Sequence, residues 1–409
     1  MAKYNVIDLF SGCGGLLDGF MQSKLCYPVA SVEWEKAPVE TLKYRLKNKW
    51  HVSDVDNSVI RFDMQRTEEL LNGFNDDKYG TNGGLLKLSE SKNIDLIIGG
   101  PPCQAYSVAG RVSIDQKEKP DYRNYLFEYY MKIVEKLQPK AFIFENVPGM
   151  LSAMPDGTPI IDLIKRDISI KNFEIINDIK NNAIIDASDY LVPQKRKRII
   201  LVGLNKKYFS NINIQSALLD FYNVILPKYK SSKKISVEEA IGDLPPCYPL
   251  LSDKRPSHST PECKISWQIP RFNSIRDVKI FKMLTEDIES GENKYANSEE
   301  LKKIYNEATG ASTNVHKYHV LRKNEPSTTI LAHLYKDGLR FIHYDSKQSR
   351  PITVREAARL QSFDDDFDFI GSQGDAFKMI GNAVPPQLAK CIALALDEFL
   401  NKYLNEGKV

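Results

Sequence analysis

Cys103 follows Gly99-Gly100-Pro101-Pro102 and precedes Gln104, just after the short apolar run Ile94-Asp95-Leu96-Ile97-Ile98. A thiol delivered at the end of such a run is placed as a nucleophile, because open α/β sheets bind ligands beyond the carboxyl ends of their strands. The paired glycines free the backbone there and the paired prolines stiffen it. A lone cysteine is more often a buried apolar residue, so its neighbours decide the matter. Glu33, Asp63 and Glu145 each close an apolar run, and Arg196 and Arg198 alternate just ahead of the run Ile199 to Gly203. In extended chain both arginines then point the same way. The turn Ser11-Gly12-Cys13-Gly14-Gly15 with the first two acids suits an adenosine, offering helix-terminal amides and a carboxylate for ribose hydroxyls. Cys103, Glu145 and the arginines suit covalent attack on an electron-poor ring, with a nucleophile, a proton donor and cationic stabilisation.

The elements that carry these residues follow from periodicity. Asn5 to Phe10 reads as a strand, and Leu16, Leu17, Phe20 and Met21 then recur at helical spacing. The turn between is either a plain tight turn or a ligand cradle; it is not a dinucleotide fingerprint, because the second step of Gly-x-Gly-x-x-Gly lands on Leu17. Strands are expected near 28–32, 59–62, 94–98, 141–144, 173–176, 183–185 and 199–203, with helices near 37–47 and 124–137. This alternation predicts a largely parallel, doubly wound sheet with helices on both faces. The polar stretch 75–92 reads as a surface insertion, and 109–122 as a loop beside the nucleophile that closes on substrate. After the proline-rich joint Leu244-Pro245-Pro246-Cys247-Tyr248-Pro249 the pattern becomes irregular as far as Tyr344. It resumes where Thr353 caps a helix, with Glu356 three residues on as in a capping box.

A chain of 409 residues with 42% hydrophobic and 27% charged residues is globular in composition, and a net charge of +3 excludes bulk charge as an argument for an anionic partner. Six scattered cysteines without a Cys-x-x-Cys pair give no metal-site spacing, and no apolar run reads as a signal peptide or membrane span. Free thiols in a reducing cytosol are the expectation. The run Lys228, Lys230, Lys233 and Lys234 is either a phosphate contact or a solvated linker.

In order along nearly the whole chain, the sequence resembles the bacterial and phage modification-type DNA (cytosine-5)-methyltransferases. The matching motifs are Asp8-Leu9-Phe10-Ser11-Gly12-Cys13-Gly14-Gly15, Gly100-Pro101-Pro102-Cys103-Gln104-Ala105-Tyr106-Ser107 and Glu145-Asn146-Val147. Further along they are Gln194-x-Arg196-x-Arg198, Arg355-Glu356-Ala357-Ala358-Arg359-Leu360-Gln361 and Gly381-Asn382-Ala383-Val384-Pro385. The resemblance implies an S-adenosylmethionine-dependent, Rossmann-like α/β fold. Its catalytic domain would span 1–245 and 345–409, with a smaller target-recognition domain over 246–344. It implies S-adenosyl-L-methionine held by Phe10, Ser11, Gly12, Gly14, Gly15, Leu16, Glu33, Trp34, Asp63, Pro101, Asn382 and Ala383. The spacing from Glu33 to Asp63 is long for the family, so Asp54 and Asp56 compete for the adenine contact. The resemblance also implies a cytosine flipped from double-stranded DNA, attacked by Cys103, protonated by Glu145 and stabilised by Arg196 and Arg198. Gln104, Ser107, Asn146, Val147 and Gln194 would line its pocket, without a metal. The base that removes the ring proton is open, water being one candidate. A cytoplasmic monomer associated with the nucleoid through DNA is expected, beside a separately encoded restriction endonuclease with which it forms no stable complex.

Three other readings compete. A tRNA enzyme of the same family would carry a Cys-Phe-Thr element, whereas Cys247 precedes Tyr248 and Cys263 precedes Lys264. An inactive DNA-binding regulator would not need Cys103, Glu145 and both arginines. A thiol hydrolase lacks a histidine in any strand-end motif.

Overall fold

Runs of branched apolar residues form the strands, and a computed structural model describes residues 2–90, 92–102, 126–154, 157–251, 253–336 and 338–405. The expectations for Cys103, Gln104, Ser107 and the segment 109–122 lie outside the described residues. In chain order the strands are β1 (Tyr4–Leu9), β2 (Cys26–Glu33), β3 (Val59–Arg61), β4 (Phe74–Asp76), β5 (Gly80–Asn82), β6 (Leu96–Gly99), β7 (Ala141–Asn146), β8 (Phe173–Glu174), β9 (Ile184–Asp186) and β10 (Lys197–Asn205).

Two compact units emerge. The first comprises residues 1–191, 197–232 and 383–409, and the second residues 192–196 and 233–382. The first holds an eight-stranded sheet, counted among the described residues, in the order β3-β2-β1-β6-β7-β10-β8 with β9 also on β10. From β3 to β7 all neighbours are parallel, as expected. Strand β10 runs antiparallel to β7, β8 and β9. Every residue of β6 is buried, as are the last seven of β10, which is why these strands read as unbroken apolar runs. The polar stretch 75–92 contains the β4–β5 hairpin and a short helix, Gly84–Ser89.

Helix Pro386–Asn405 packs against the first helix, Gly15–Gln22, at very close range. A Cβ on Gly19 would lie 2.2 Å from the Pro386 carbonyl oxygen and 2.5 Å from the Ala389 Cβ. Asp397 of that helix accepts hydrogen bonds from Lys3 Nζ (2.6 Å) and the Tyr4 hydroxyl (2.8 Å), closing the end of the unit back on its beginning. The stretch Gln373–Leu404 is long and apolar enough to cross a membrane by composition, but 72% of its apolar window is buried within the protein, as in a core helix. The basic run is engaged by acids: Lys228 with Glu398, Lys230 with Asp189 at 3.4 Å and Lys233 with Glu239 at 2.5 Å.

The second unit reaches further along the chain than the 246–344 read in sequence for target recognition, and hydrogen bonds join its earlier and later parts. Val237 N donates to Glu325 O (2.8 Å), Glu238 N to Lys323 O (3.0 Å) and Cys247 N to Gln348 Oε1 (3.0 Å). The region is also less irregular than its sequence suggests, since it contains helices Ile275–Glu289 and Ser298–Thr309, capped by Ser274 and Asn297. Phe281 and Leu284 of the first helix enclose a core with Tyr318, Val320 and Ile342, against which Leu301, Ile304 and Tyr305 of the second pack. The capping box at Thr353 forms as expected: Thr353 Oγ1 accepts from Glu356 N (3.1 Å) and Glu356 Oε2 accepts from Thr353 N (2.8 Å).

The helix pair predicts a clear mutational result. Gly19→Ala has no room for its methyl group against backbone, so it should lower unfolding free energy by roughly 2 kcal/mol or more, read from urea denaturation.

Candidate active site

The carboxyl ends of the parallel strands assemble the site in the first unit. After β1 the chain turns sharply, with Phe10, Gly12 and Gly14 all at positive φ (57°, 54° and 90°). Gly14 N donates to Ser11 O (2.9 Å) and Asp18 N to Gly14 O (2.7 Å), starting helix Gly15–Gln22 directly from the turn. Ser11 is fixed to β2 by its amide and hydroxyl, both donating to the Val32 carbonyl. Leu16 is buried in the core. At Gly12 a Cβ would meet nothing within 4 Å, whereas at Gly14 it would strike Leu42 Cδ1 at 2.5 Å. The first glycine therefore leaves its backbone open on one side and the second is needed for close packing.

Glu33, the last residue of β2, lies across this turn. Its Oε2 accepts from Gly12 N (2.9 Å) and its Oε1 from Trp34 N and Glu35 N (2.8 Å each). Burial raises its pKa, against the pull of those three amides. Three of about four acceptor sites are thus occupied, leaving one for an incoming hydroxyl. Trp34 is 51% exposed beside it. Asp63 lies just beyond β3, its Oδ1 accepting from Gln65 N (3.0 Å). Asp54 and Asp56 precede β3 and have other partners, Asn57 and Lys43 respectively.

On the other side of β1, Gly99 and Gly100 adopt no left-handed conformation; their lack of a side chain supplies space. A Cβ on Gly99 would lie 2.3 Å from Leu9 O, and one on Gly100 would lie 2.7 Å from Glu145 Oε2. Glu145 is thereby seated against the backbone leading to Cys103. Its other oxygen, Oε1, is 2.9 Å from Arg198 Nε, in a pair with only about a tenth of either side chain exposed. Asn146 donates to Pro101 O (3.4 Å) and accepts from Val147 N (2.9 Å), so it braces this loop. Val147 is half-buried and Pro101 buried.

Arg196 and Arg198 bind in different surroundings, Arg198 to Glu145 on β7 and Arg196 to main-chain carbonyls of the second unit. Strand β10 begins only at Lys197, so the alternation expected of extended chain does not reach Arg196. Arg196 is fully buried in the second unit, donating to Ile330 O (2.9 Å) and Gly381 O (3.0 Å). Gln194 is also buried there. Its amide nitrogen donates to Leu360 O (3.2 Å) and Gln361 Oε1, and its oxygen accepts from Ile330 N (2.9 Å). Asn382 ends helix Gln373–Asn382 of that unit and is exposed, and Ala383 follows in the first unit.

Asp8 was not singled out in the sequence beyond its place in a motif. It is 1% exposed in the middle of the sheet, and neither carboxyl oxygen has a hydrogen-bond partner among the described residues. Ser31, directly opposite on β2, is buried as well, and its hydroxyl has no hydrogen-bond partner among the described residues. Desolvation, with the nearby Glu33 charge, holds the Asp8 pKa well above its ordinary value.

An open glycine turn, an acid on its amides and an exposed indole fit an adenosine-bearing cofactor, and an acid clamped against Gly100, on the chain that leads in sequence to Cys103, completes the outline of an α/β group-transfer enzyme. The comparisons give this outline its family. The family model for C-5 cytosine-specific DNA methylases matches residues 4–398, and the chain belongs to that family. Its cofactor is S-adenosyl-L-methionine and its activity is methyl transfer to cytosine carbon 5 in DNA. The chain is 32% identical to the type II methyltransferase M.Bpa9945I of Bacillus paralicheniformis, over 97% of this chain and 99% of that one. It is 28% identical to type II methyltransferase M1.HphI of Haemophilus parahaemolyticus, over 95% and 86%. Among solved structures it resembles a DNA modification methyltransferase encoded within an E. coli prophage, with TM-score 0.61 and 26% identity over 97% of this chain and 99% of that one. It shares a fold with S. pombe Dnmt2, at TM-score 0.53 and 13% identity over 98% and 99%.

The buried acid gives a pH prediction. A carboxyl whose folded pKa is raised binds its proton more tightly folded than unfolded, so it costs stability increasingly as pH rises above its ordinary value of 3.8. Asp8→Asn, which mimics the neutral form, should flatten the fall in urea-unfolding free energy between pH 5 and pH 8; an unchanged slope would contradict the assignment.

Proposed function

We propose that this chain methylates one cytosine within a fixed sequence of duplex DNA, through base flipping and a covalent adduct on Cys103, as the modification half of a type II restriction-modification system. The observation that carries this reading is the seating of Glu145. The acid is held by Arg198 on one oxygen and lies against the Gly100 backbone with the other, three residues before the thiol.

The roles follow from the chemistry of the ring. Cytosine carbon 5 is a poor nucleophile until the 5,6 double bond is converted to an enamine. The Cys103 thiolate adds at carbon 6, forming the carbon–sulfur bond, while Glu145 delivers a proton to ring nitrogen 3 to receive the displaced electron pair. Arg198, in contact with Glu145, keeps that acid aimed and offers positive charge at the ring carbonyl. Arg196 and Gln194 serve by positioning, since their polar atoms bind main-chain carbonyls and amides around 330, 360 and 381. Bound S-adenosylmethionine supplies an electrophilic methyl group on sulfur, which carbon 5 takes up. S-adenosylhomocysteine is left behind, and loss of the carbon 5 proton, departure of the thiolate from carbon 6 and return of the nitrogen 3 proton to Glu145 then restore the aromatic ring and the free enzyme. Glu33 is assigned to the ribose, Phe10 and Trp34 to the adenine, and Gly12, Gly14, Gly15, Leu16, Ser11, Pro101, Asn382 and Ala383 to the rest of the cofactor. Asp63 is preferred to Asp54 and Asp56 for the adenine amino group, because it follows its strand at the same edge as Glu33.

Gln104, Ser107, Asn146 and Val147 are assigned to the cytosine pocket, and residues 246–344 to sequence recognition. The enzyme acts as a cytoplasmic monomer on nucleoid DNA, with its endonuclease encoded separately. Sequencing of methylcytosine in plasmid DNA from cells expressing the wild-type chain or Cys103→Ala tests the whole reading. Methylation in one fixed context, abolished in the variant, is expected; its absence from both samples would overturn the DNA assignment. Glu145→Gln should lower kcat by about a hundredfold or more while leaving the affinity for S-adenosylhomocysteine unchanged, measured by single-turnover kinetics and calorimetry.

A further inference from the structure

The β4–β5 hairpin has no part in the chemistry above, yet it is joined to the end of β3 by ring stacking and an ion pair. Phe62, fully buried after β3, stacks on Phe74 of the hairpin at 3.9 Å between centroids and meets the edge of Tyr79 at 5.1 Å. Arg66 lies 4.7 Å over the Phe62 ring and donates to Asp76 Oδ2 (2.6 Å). Asp76 Oδ1 in turn accepts from the amides of Lys78 (2.8 Å) and Tyr79 (3.0 Å), fixing the turn that presents the Tyr79 ring.

That ring reaches back toward the cofactor side. The guanidinium of Arg61 is 5.7 Å from the Tyr79 centroid, within the range of a cation–π contact. The Nε of Arg61 donates to the Trp34 carbonyl oxygen (3.2 Å). Arg61 is also the register partner of Glu33 across β2 and β3, and Phe62 N donates to Glu33 O (3.0 Å). Hairpin, arginine and indole therefore form one chain of contacts, ending at the residue whose side chain is 51% exposed at the strand edge.

We infer that the β4–β5 hairpin positions the adenosine end of the cofactor site, with Tyr79 holding Arg61 and Arg61 holding the Trp34 backbone. This rests on the assignment of Trp34 and Glu33 to the adenosine. Tyr79 and Arg61 are positioning residues: neither needs to touch the cofactor, and the ring face of Tyr79, not its hydroxyl, does the work.

Calorimetric titration of S-adenosylhomocysteine into the full chain and its variants, with amide exchange at Trp34 and Glu35 in the ligand-free protein, tests this. Tyr79→Ala should weaken binding about fivefold, the ratio that loss of one such contact corresponds to, and speed exchange at both amides. Tyr79→Phe should restore both to wild-type behaviour, and affinity for duplex DNA should not change in either variant. Wild-type affinity in Tyr79→Ala, beside a clear loss in Trp34→Ala, would overturn the inference while leaving the site assignment standing. No loss in Trp34→Ala would overturn both. Equal losses of cofactor and DNA affinity in Tyr79→Ala, not rescued by Tyr79→Phe, would reduce the hairpin to general stability and overturn the positioning role.

Discussion

The reversal of a single strand decides what this sheet can do. Five parallel strands deliver their carboxyl ends to one edge, but a sixth parallel neighbour would have sent the start of β10 to the opposite edge. Because β10 runs antiparallel to β7, with Ile199 opposite Asn146 and Ile200 opposite Glu145, its first residues lie beside the last residues of β7. Arg198 is thereby within 2.9 Å of Glu145 without any loop having to carry it there. A pair set on two hydrogen-bonded strands is held more rigidly than one set on loops. The glycine at position 100 completes the arrangement by letting the carboxylate approach the backbone from its other side.

Much of the first unit was legible in the sequence, for a physical reason. A sheet covered on both faces needs apolar residues at nearly every strand position, so β1, β2, β6, β7 and β10 each announce themselves as short unbroken runs. Such runs carry no sign of direction, which is why the antiparallel course of β10 could not be read. The glycine pair 99–100 was rightly seen as a special position, but for conformational freedom where the structure uses it for space. The two arginines were legible as a motif and not as a pair, since the point where the strand begins lies between them. Asp8 was hidden differently: nothing in its neighbours' sequence reveals that the sheet closes over it and, among the described residues, offers no donor.

The second unit was the least legible, and its polar composition explains why. Helix Ser298–Thr309 has no buried residue of its own and contributes only partly covered side chains to the core, so its apolar periodicity is diluted by the lysines and glutamates between. What orders the unit instead is a buried polar network. Arg350 and Glu356 pair bidentately at 2.6 and 2.7 Å with about 1% of either side chain exposed, and Gln268 Nε2 donates to the same carboxylate at 3.2 Å. Arg355 donates to three main-chain carbonyls and to Ser266 Oγ. Such partners are scattered along the chain and have no period to detect. Removing one member of such a buried pair leaves the other charge uncompensated, which is strongly destabilising.

The closure of helix Pro386–Asn405 on helix Gly15–Gln22 has a consequence for how such chains diversify. In chain order the second unit is mostly an insertion, residues 233–382, between two parts of a sheet-bearing unit that complete each other. The entropy of holding the ends of an insertion together grows only with the logarithm of its length, about 0.6 kcal/mol for each doubling. A replacement of quite different size between these anchors would therefore cost the first unit little, provided that its own ends met the same two points and that it again met the buried polar groups of Gln194 and Arg196. The scaffold is thus permissive to exchange at that interval and strict at Gly19, where one methyl group is too many.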